Sequence, residues 1–399
     1  MRLPTALRFS AFLVALASTH PVAAQQEGDR PKPPVFFFQQ PGGALAQPGN
    51  RPAQPQPRPE APLPPTSPAF DFEAGPQIGY WHPTDPEAAV ELDPEAGAAH
   101  AGKGCLGMTY NAREGVFEQI AARPLKVVGG KTLTFWVRTS QPTQLSFGVV
   151  EQDGGLYQQF CVTPADEWTK VDLPLTSLIL SQDTNDPDGR LDVADIVEIR
   201  VADLANLPGG LADALGRKAG EQQLLLDDVA ITDDDADWPG AAPAQGVLAD
   251  GFERDTIYAL AIGGAELERG EGSQGAGLAI NCRQPGSRWM GIVMGVGYLP
   301  LTDKNEVSCQ ITASRPVTVS LVLEERDGSK YSRRLKINPA DGWSEDTVSF
   351  DQLLLETDSQ DENGVLDRDQ IRVLIVVADT AGLLNAEPLT VGLDEIVFR

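Results

Sequence analysis

Histidine, basic side chains and long apolar runs are all scarce in this 399-residue chain. Only three histidines occur, His20, His82 and His100, and the first falls in a segment expected to be removed, so a hydrolytic triad has little to draw on. Lys plus Arg number 31 against 57 Asp plus Glu, a formal net charge of −26. Such an excess repels phosphate backbones and anionic headgroups, and with no basic patch in the sequence it excludes nucleic acid and membrane surfaces as partners. Beyond the N-terminus no stretch approaches the roughly 20 apolar residues that cross a bilayer, so no transmembrane segment is expected. What is present, 41% hydrophobic and 22% charged residues, is the composition of a globular protein, and the length suits two or three domains.

The chain starts with Arg2 and Arg8, an apolar run from Phe9 to Ala17, and Val22-Ala23-Ala24 before Gln25. A basic start, a short apolar stretch and small residues at a cleavage position predict a signal peptide over 1–24, and hence a periplasmic or extracellular protein. Residues 25–69 are dominated by Pro, Gln, Gly and Ala, which predicts a disordered, polyproline-II-rich tether. Within it Val35-Phe36-Phe37-Phe38 is apolar and uncharged, readable either as a docking motif or as a sticky accident of a linker.

The rest of the chain repeats itself. Ser140, Pro142, Glu151, Asp153, Gly154 and Tyr157 answer Ser314, Pro316, Glu325, Asp327, Gly328 and Tyr331 at an offset of 174. After a one-residue shift, Pro164-Ala165-Asp166 with Trp168 answers Pro339-Ala340-Asp341 with Trp343, and Asp186, Gly189, Leu191 and Asp192 answer Asp361, Gly364, Leu366 and Asp367. Phe72-Glu73 pairs with Phe252-Glu253, and Leu226-Asp227-Asp228-Val229 with Leu393-Asp394-Glu395-Ile396. Two homologous domains, 70–235 and 248–399, joined by a linker at 236–247, follow. Each is long enough to bury its own core.

Inside each copy the apolar period is two. Leu133, Phe135 and Val137 alternate with Thr134, Trp136 and Arg138, and Leu145, Phe147 and Val149 with Gln144, Ser146 and Gly148. Half-buried antiparallel strands are predicted, with tight turns at Asp153-Gly154 and Asp327-Gly328. Leu204 to Lys218 reads as a short helical excursion. Many short strands without a βαβ rhythm predict an all-β fold, two tandem β-sandwich (jelly-roll) domains.

The order in each copy is Phe-Glu, a Gly-containing strand, an Asp-Gly hairpin with Tyr, Pro-Ala-Asp with Trp, an acidic loop, Val-Ala-Asp, and a last strand Leu-Asp-[Asp/Glu]-[Val/Ile]. That order resembles galactose-binding-like jelly rolls, such as family 11 carbohydrate-binding modules and the domain of complex I intermediate-associated proteins. The resemblance implies a structural Ca²⁺ tying the first strand to the last, with Glu73 and Asp227 as ligands in the first copy and Glu253 and Asp394 in the second, the alternative being surface carboxylates at strand ends. The acidic loops around Asp186 and Asp361 look like calcium loops, but counting back from Gly189 and Gly364 puts Thr184 and Ser359 where the first Asp ligand belongs. They read as solvated turns.

For a glycan ligand, the chemistry asks for an exposed aromatic face flanked by amide, carboxylate or guanidinium groups. Strand alternation puts Trp136 on the polar face with Thr134 and Arg138. Gln144 and Gln158 extend the candidate site, and Trp81, in a Pro-rich loop, closes one end. Trp136 packing under a loop or against the other domain is the alternative. Gln310 stands at the position of Trp136 in the second copy, leaving Trp289, near Arg288, as its available aromatic, while Trp168 and Trp343 read as core or corner residues. Cys105, Cys161, Cys282 and Cys309 fall two per domain, but Cys282 aligns with Tyr110 and Cys309 with Phe135, which favours buried thiols over a disulfide in each domain. No aromatic-lined carboxylate pair suggests a glycosidase, so the leading reading is a non-catalytic binder of polysaccharide or glycoconjugate. The alternative is an interaction or assembly module for an envelope or extracellular protein.

Overall fold

The computed structural model of the protein describes residues 69–399, apart from 74, 85–89, 97, 114–117, 182–183, 185, 187, 207–214, 216–217, 237–245, 283–288, 358, 360, 362 and 381–387. The expected signal peptide, the tether with its Phe36-Phe37-Phe38 motif, most of the linker, much of the Leu204–Lys218 stretch, and Arg288 lie outside the described residues. The first domain contains β1 (Ala69–Phe70), β2 (Trp81–Pro83), β3 (Val90–Ala96), β4 (Gly104–Ala112), β5 (Gln119–Ala122), β6 (Thr132–Thr139), β7 (Thr143–Glu151), β8 (Leu156–Thr163), β9 (Thr169–Pro174), β10 (Ile179–Leu180), β11 (Ile196–Asp203) and β12 (Gly220–Thr232). The second contains β13 (Val247–Asp250), β14 (Leu260–Ile262), β15 (Ala265–Glu271), β16 (Ala276–Cys282), β17 (Trp289–Gly295), β18 (Glu306–Ala313), β19 (Val317–Glu325), β20 (Lys330–Ile337), β21 (Ser344–Ser349), β22 (Leu354–Leu355), β23 (Ile371–Asp379) and β24 (Leu389–Phe398).

Each domain is a sandwich of two antiparallel six-stranded sheets. The outer sheet of the first runs β3-β4-β12-β6-β9 with β1 added to β12, and that of the second runs β15-β16-β24-β18-β21 with β13 added to β24. The remaining sheets, β10-β8-β7-β11-β5-β2 and β22-β20-β19-β23-β17-β14, also match strand for strand. The repeat in the sequence is thus a repeat of topology. Its hairpins are built alike: Gly154 and Gly328 take φ of 103° and 91°, where a Cβ is disfavoured, and Asp153 and Asp327 each accept the N–H two residues on.

Between the two sheets of each domain lies its core, around Phe135, Phe147 and Leu226 in the first and Ile292, Leu321 and Phe398 in the second. Trp81 belongs to the first core. It is 2% exposed, edge-on to Phe70 at 5.6 Å, and held in β2 against β5, so its expected place in a ligand-binding loop is corrected. The four cysteines are unbridged thiols; Cys105, Cys161 and Cys309 are buried.

The sheets of β7 and β19 pack against each other across the two domains. Phe160, Ile179 and Leu204 of the first domain form one apolar cluster with Ile262, Val293 and Ile375 of the second. Backbone joins as well: Val162 N–H donates to the Ile257 carbonyl, and Thr256 Oγ1 donates to the Lys170 carbonyl at 2.7 Å. Tyr258, from the second domain, enters the first domain's core, and its hydroxyl accepts the Asp172 N–H at 3.0 Å. The expectation of half-buried strands therefore fails for β7, which is buried at every position, its polar side included, whereas β20 in the second domain keeps an exposed side at Arg333, Arg334 and Lys336. At β7 the physical reason is a second layer of protein on that side.

Candidate functional site

In the first domain β7 is covered along its whole length by the second domain, which leaves the outer sheet as that domain's main solvent-facing strand surface. On β6 the inward residues Leu133, Phe135 and Val137 are fully buried, while Thr134, Trp136 and Arg138 are half-buried on the outward side, as the alternation predicts. Cross-strand pairing sets Trp136 between Asp227 on β12 and Lys170 on β9, and Thr134 opposite Asp172. A residue that the sequence does not single out completes the surface. His100, in the loop before β4, stacks on Trp136 with ring centroids 3.6 Å apart and planes 13° from parallel, and meets Trp168 edge-on at 5.9 Å. Arg138 lies 3.6 Å from Asp166. The result is an aromatic strip, Trp136, His100 and Trp168, bordered by guanidinium, ammonium and carboxylate groups. His100 and Trp168 are linked to Trp136 only in three dimensions; the equivalence of Trp168 and Trp343 suggests core or corner residues, and half-exposure of Trp168 excludes the core reading.

The other expected site residues do not join this strip. Gln144 is fully buried between the domains: its Nε2 donates to the carbonyls of Cys161 and Ala259, both at 2.8 Å, and its Oε1 accepts the Ala261 N–H at 3.0 Å. Gln158 is buried in the same sheet and accepts from Ser146 Oγ at 2.9 Å. Gln144 is corrected from a ligand contact to an interface residue and Gln158 to a buried partner of Ser146, since a buried amide must find protein partners. Trp289 packs against the interdomain cluster, with its ring over Gly263, and is likewise not on the outer face.

Glu73 and Asp227 converge on one loop, as do Glu253 and Asp394. Glu73 Oε1 accepts the N–H groups of Lys103 and Gly104, and Asp227 Oδ2 those of His100 and Ala101. In the second copy Asp394 Oδ2 accepts the Ser273 N–H and hydroxyl and the Gln274 N–H, while Glu253 accepts the Ala276 N–H. Gly102 and Gly275, at φ 66° and 82°, let the loops approach, because a Cβ there would stand 2.1 and 2.2 Å from the glutamate oxygens. Calcium requires six to eight oxygens pointing inward, whereas these loops present N–H donors, so the pairs as arranged fit a loop clamp better than an ion site. In the first domain the clamp also carries His100, and so shapes the aromatic strip.

Carboxylates converge instead at the acidic loops. Glu151, Asp153 and Asp186 bring oxygens within 4.8 Å of one another, and Glu325, Asp327 and Asp361 do the same. Each loop is closed by a tyrosine hydroxyl, Tyr157 to Asp186 and Tyr331 to Asp361, and by the N–H of Asp192 or Asp367 donating to the buried glutamate. Asp183 and Asn185 lie outside the described residues. Burial first, and then the neighbouring aspartates, push Glu151 and Glu325 up to about 7, against the pull of the backbone N–H each accepts. A carboxyl whose folded value is raised contributes stability that is present at acidic pH and lost as pH rises through that value. The melting temperature is therefore expected to fall between about pH 5 and 7.5, and the double variant E151Q/E325Q to flatten that slope, as read by calorimetry across the range.

No protein-family model matches the chain, and no curated protein matches it. The solved structures it is similar to include carbohydrate-binding modules of families 11, 22, 30 and 61. The family 11 module from Clostridium thermocellum, solved with a β-1,3-1,4-mixed-linked tetrasaccharide, is 16% identical, with a TM-score of 0.31 over 42% of this chain and 95% of that one. The CBM22-1–CBM22-2 tandem domain of Xyn10C from Paenibacillus barcinonensis is 16% identical, with a TM-score of 0.26 over 83% of this chain and 96% of that one. An agarase matches 43% of this chain with 25% of its own length, at 13% identity and a TM-score of 0.30.

Proposed function

We propose that this is a secreted, non-catalytic carbohydrate-binding protein, exported by residues 1–24 and presented on the 25–69 tether. Its first domain recognises polysaccharide or glycoconjugate on the outward face of β6. The observation that carries this reading is the half-exposed strip of Trp136, His100 and Trp168 beside Arg138, Asp166 and Lys170. His100 covers one face of Trp136, so a sugar ring would lay its C–H side on the exposed side of this stacked pair and on Trp168, with the flanking charged groups hydrogen-bonding its hydroxyls. No reaction is assigned to the strip, because its charged groups flank a surface rather than oppose one another across a cleft.

Retardation of the mature protein in gels containing plant, algal and bacterial polysaccharides tests the reading. Trp136→Ala is expected to weaken retardation roughly tenfold or more with an unchanged melting temperature, an aromatic platform contributing about 1.5 kcal/mol or more. Parallel gels with EDTA are expected to match those without it; a loss in EDTA would restore calcium at Glu73 and Asp227 or at Glu253 and Asp394. The alternative is assembly with an envelope or extracellular protein, and absence of retardation across the panel would move the reading there.

A further inference from the structure

The second domain's outer face differs from the first's in a way that opens a groove. In the first domain the outward cross-strand row is Gly107 on β4, Leu225 on β12 and Arg138 on β6. The matching row in the second is Ala279 on β16, Gly392 on β24 and Thr312 on β18. Leu225 and Arg138, both long, are thus replaced by glycine and threonine. Over this row lies a groove of about 320 Å³, with Gly270 and Glu271 at one end, Ser314 and Thr390 at the other, and Trp343 as its aromatic wall. That volume is at the lower end of the range for small-ligand sites.

Gly392 is what lets the indole lie down, since a Cβ there would stand 2.8 Å from the Trp343 ring. Trp343 is half-exposed, and among the described residues no hydrogen bond engages its indole N–H or the Glu271 carboxylate. Thr390 and Ser314 are held in place, the Thr390 N–H donating to Ser314 Oγ and its hydroxyl to Asn281. An indole wall, a carboxylate that accepts from neighbouring hydroxyls, and fixed hydroxyl groups match the mixed surface of a pyranose ring. No lysine or arginine lines the groove, and Glu271 stands at its mouth, so uronate and sulfated sugars are disfavoured.

We propose that this groove is a second saccharide subsite, taking a neutral hexopyranose unit of a polysaccharide and acting separately from the Trp136 strip. The proposal rests on the glycan-binding reading above. A second point of attachment to a repeating polymer raises avidity without new contacts at the first.

The test uses the mature chain, with galactomannan, glucomannan and xyloglucan as neutral probes, and alginate and polygalacturonate as anionic ones. Trp343→Ala removes the wall, and Thr312→Arg refills the groove in the manner of the first domain from a half-exposed position. Both are expected to weaken retardation by at least one neutral polymer tenfold or more with unchanged melting, while Trp136→Ala keeps part of it. If both groove variants run as wild type while Trp136→Ala loses retardation, the groove proposal is overturned and the glycan-binding reading stands. Retardation by the anionic polymers alone overturns the neutral-sugar assignment, and no retardation of the wild-type protein by any polymer overturns both readings. An apolar peptide as the true occupant would give the last result.

Discussion

Gln144→Leu is expected to cost roughly 2–5 kcal/mol of unfolding free energy, because it leaves the Ala261 N–H and the Ala259 carbonyl unpaired inside a buried contact. The side chain bridges the first domain to the second through the two residues that flank Leu260. Its loss should therefore also loosen the contact. Calorimetry of the wild-type chain is expected to show one transition, and the variant two, with the less stable domain melting first. A single unshifted transition in the variant would mean that the apolar cluster alone holds the domains together.

Arg372→Met is the second large expected effect. Arg372 and Glu324 form an ion pair in which both side chains are buried, and Arg372 also reaches the Leu180 carbonyl of the first domain at 3.5 Å. Burial pushes the Glu324 carboxyl up, and the guanidinium pulls it back; burial likewise lowers Arg372, which the carboxylate offsets. Removing the cation strands a buried carboxylate, a change that costs about 3–5 kcal/mol, whereas R372M/E324L replaces both with apolar volume and should recover most of it. In the single variant Glu324 loses its nearest counter-charge and keeps only the weaker pull of Lys330, so its folded value rises further above the unfolded one. Stability of R372M should then be greatest at acidic pH and fall as pH rises through that higher value. Urea titrations at pH 5 and 8 check both the magnitude and the sign.

The repeat is the most legible part of the fold, because paired residues such as Tyr157 and Tyr331 have paired jobs on the acidic loops. The outward direction of Trp136 is also legible, being a matter of strand alternation. The domain interface is not. Gln144, Ser146 and Gln158 look like a solvent face, yet buried polar side chains that find protein partners, Gln144 across the interface and Ser146 with Gln158 beneath it, leave the same pattern. Trp81 is misleading because its Pro-rich surroundings read as a loop, while an edge strand tolerates proline. His100 carries no periodic signal, and reaches Trp136 through the Asp227 clamp. For the groove the signal is present in the sequence: Gly392 stands where the first copy has Leu225, a difference that lets the Trp343 indole lie against the strand and form the groove's wall.

These placements assign different tasks to the two faces of each sandwich. The sheets containing β7 and β19 hold the domains together, and the outer sheets meet solvent and, by the proposed function, sugar. Hydrogen–deuterium exchange of the mature chain, with and without the polysaccharide that retards it most, tests this division most directly. The account predicts slower exchange in β6, β9 and the loop at 98–103, with β7, β8, β19 and β23 unchanged. Slower exchange confined to β7, β8, β19 and β23, or no change anywhere in the chain, would contradict it.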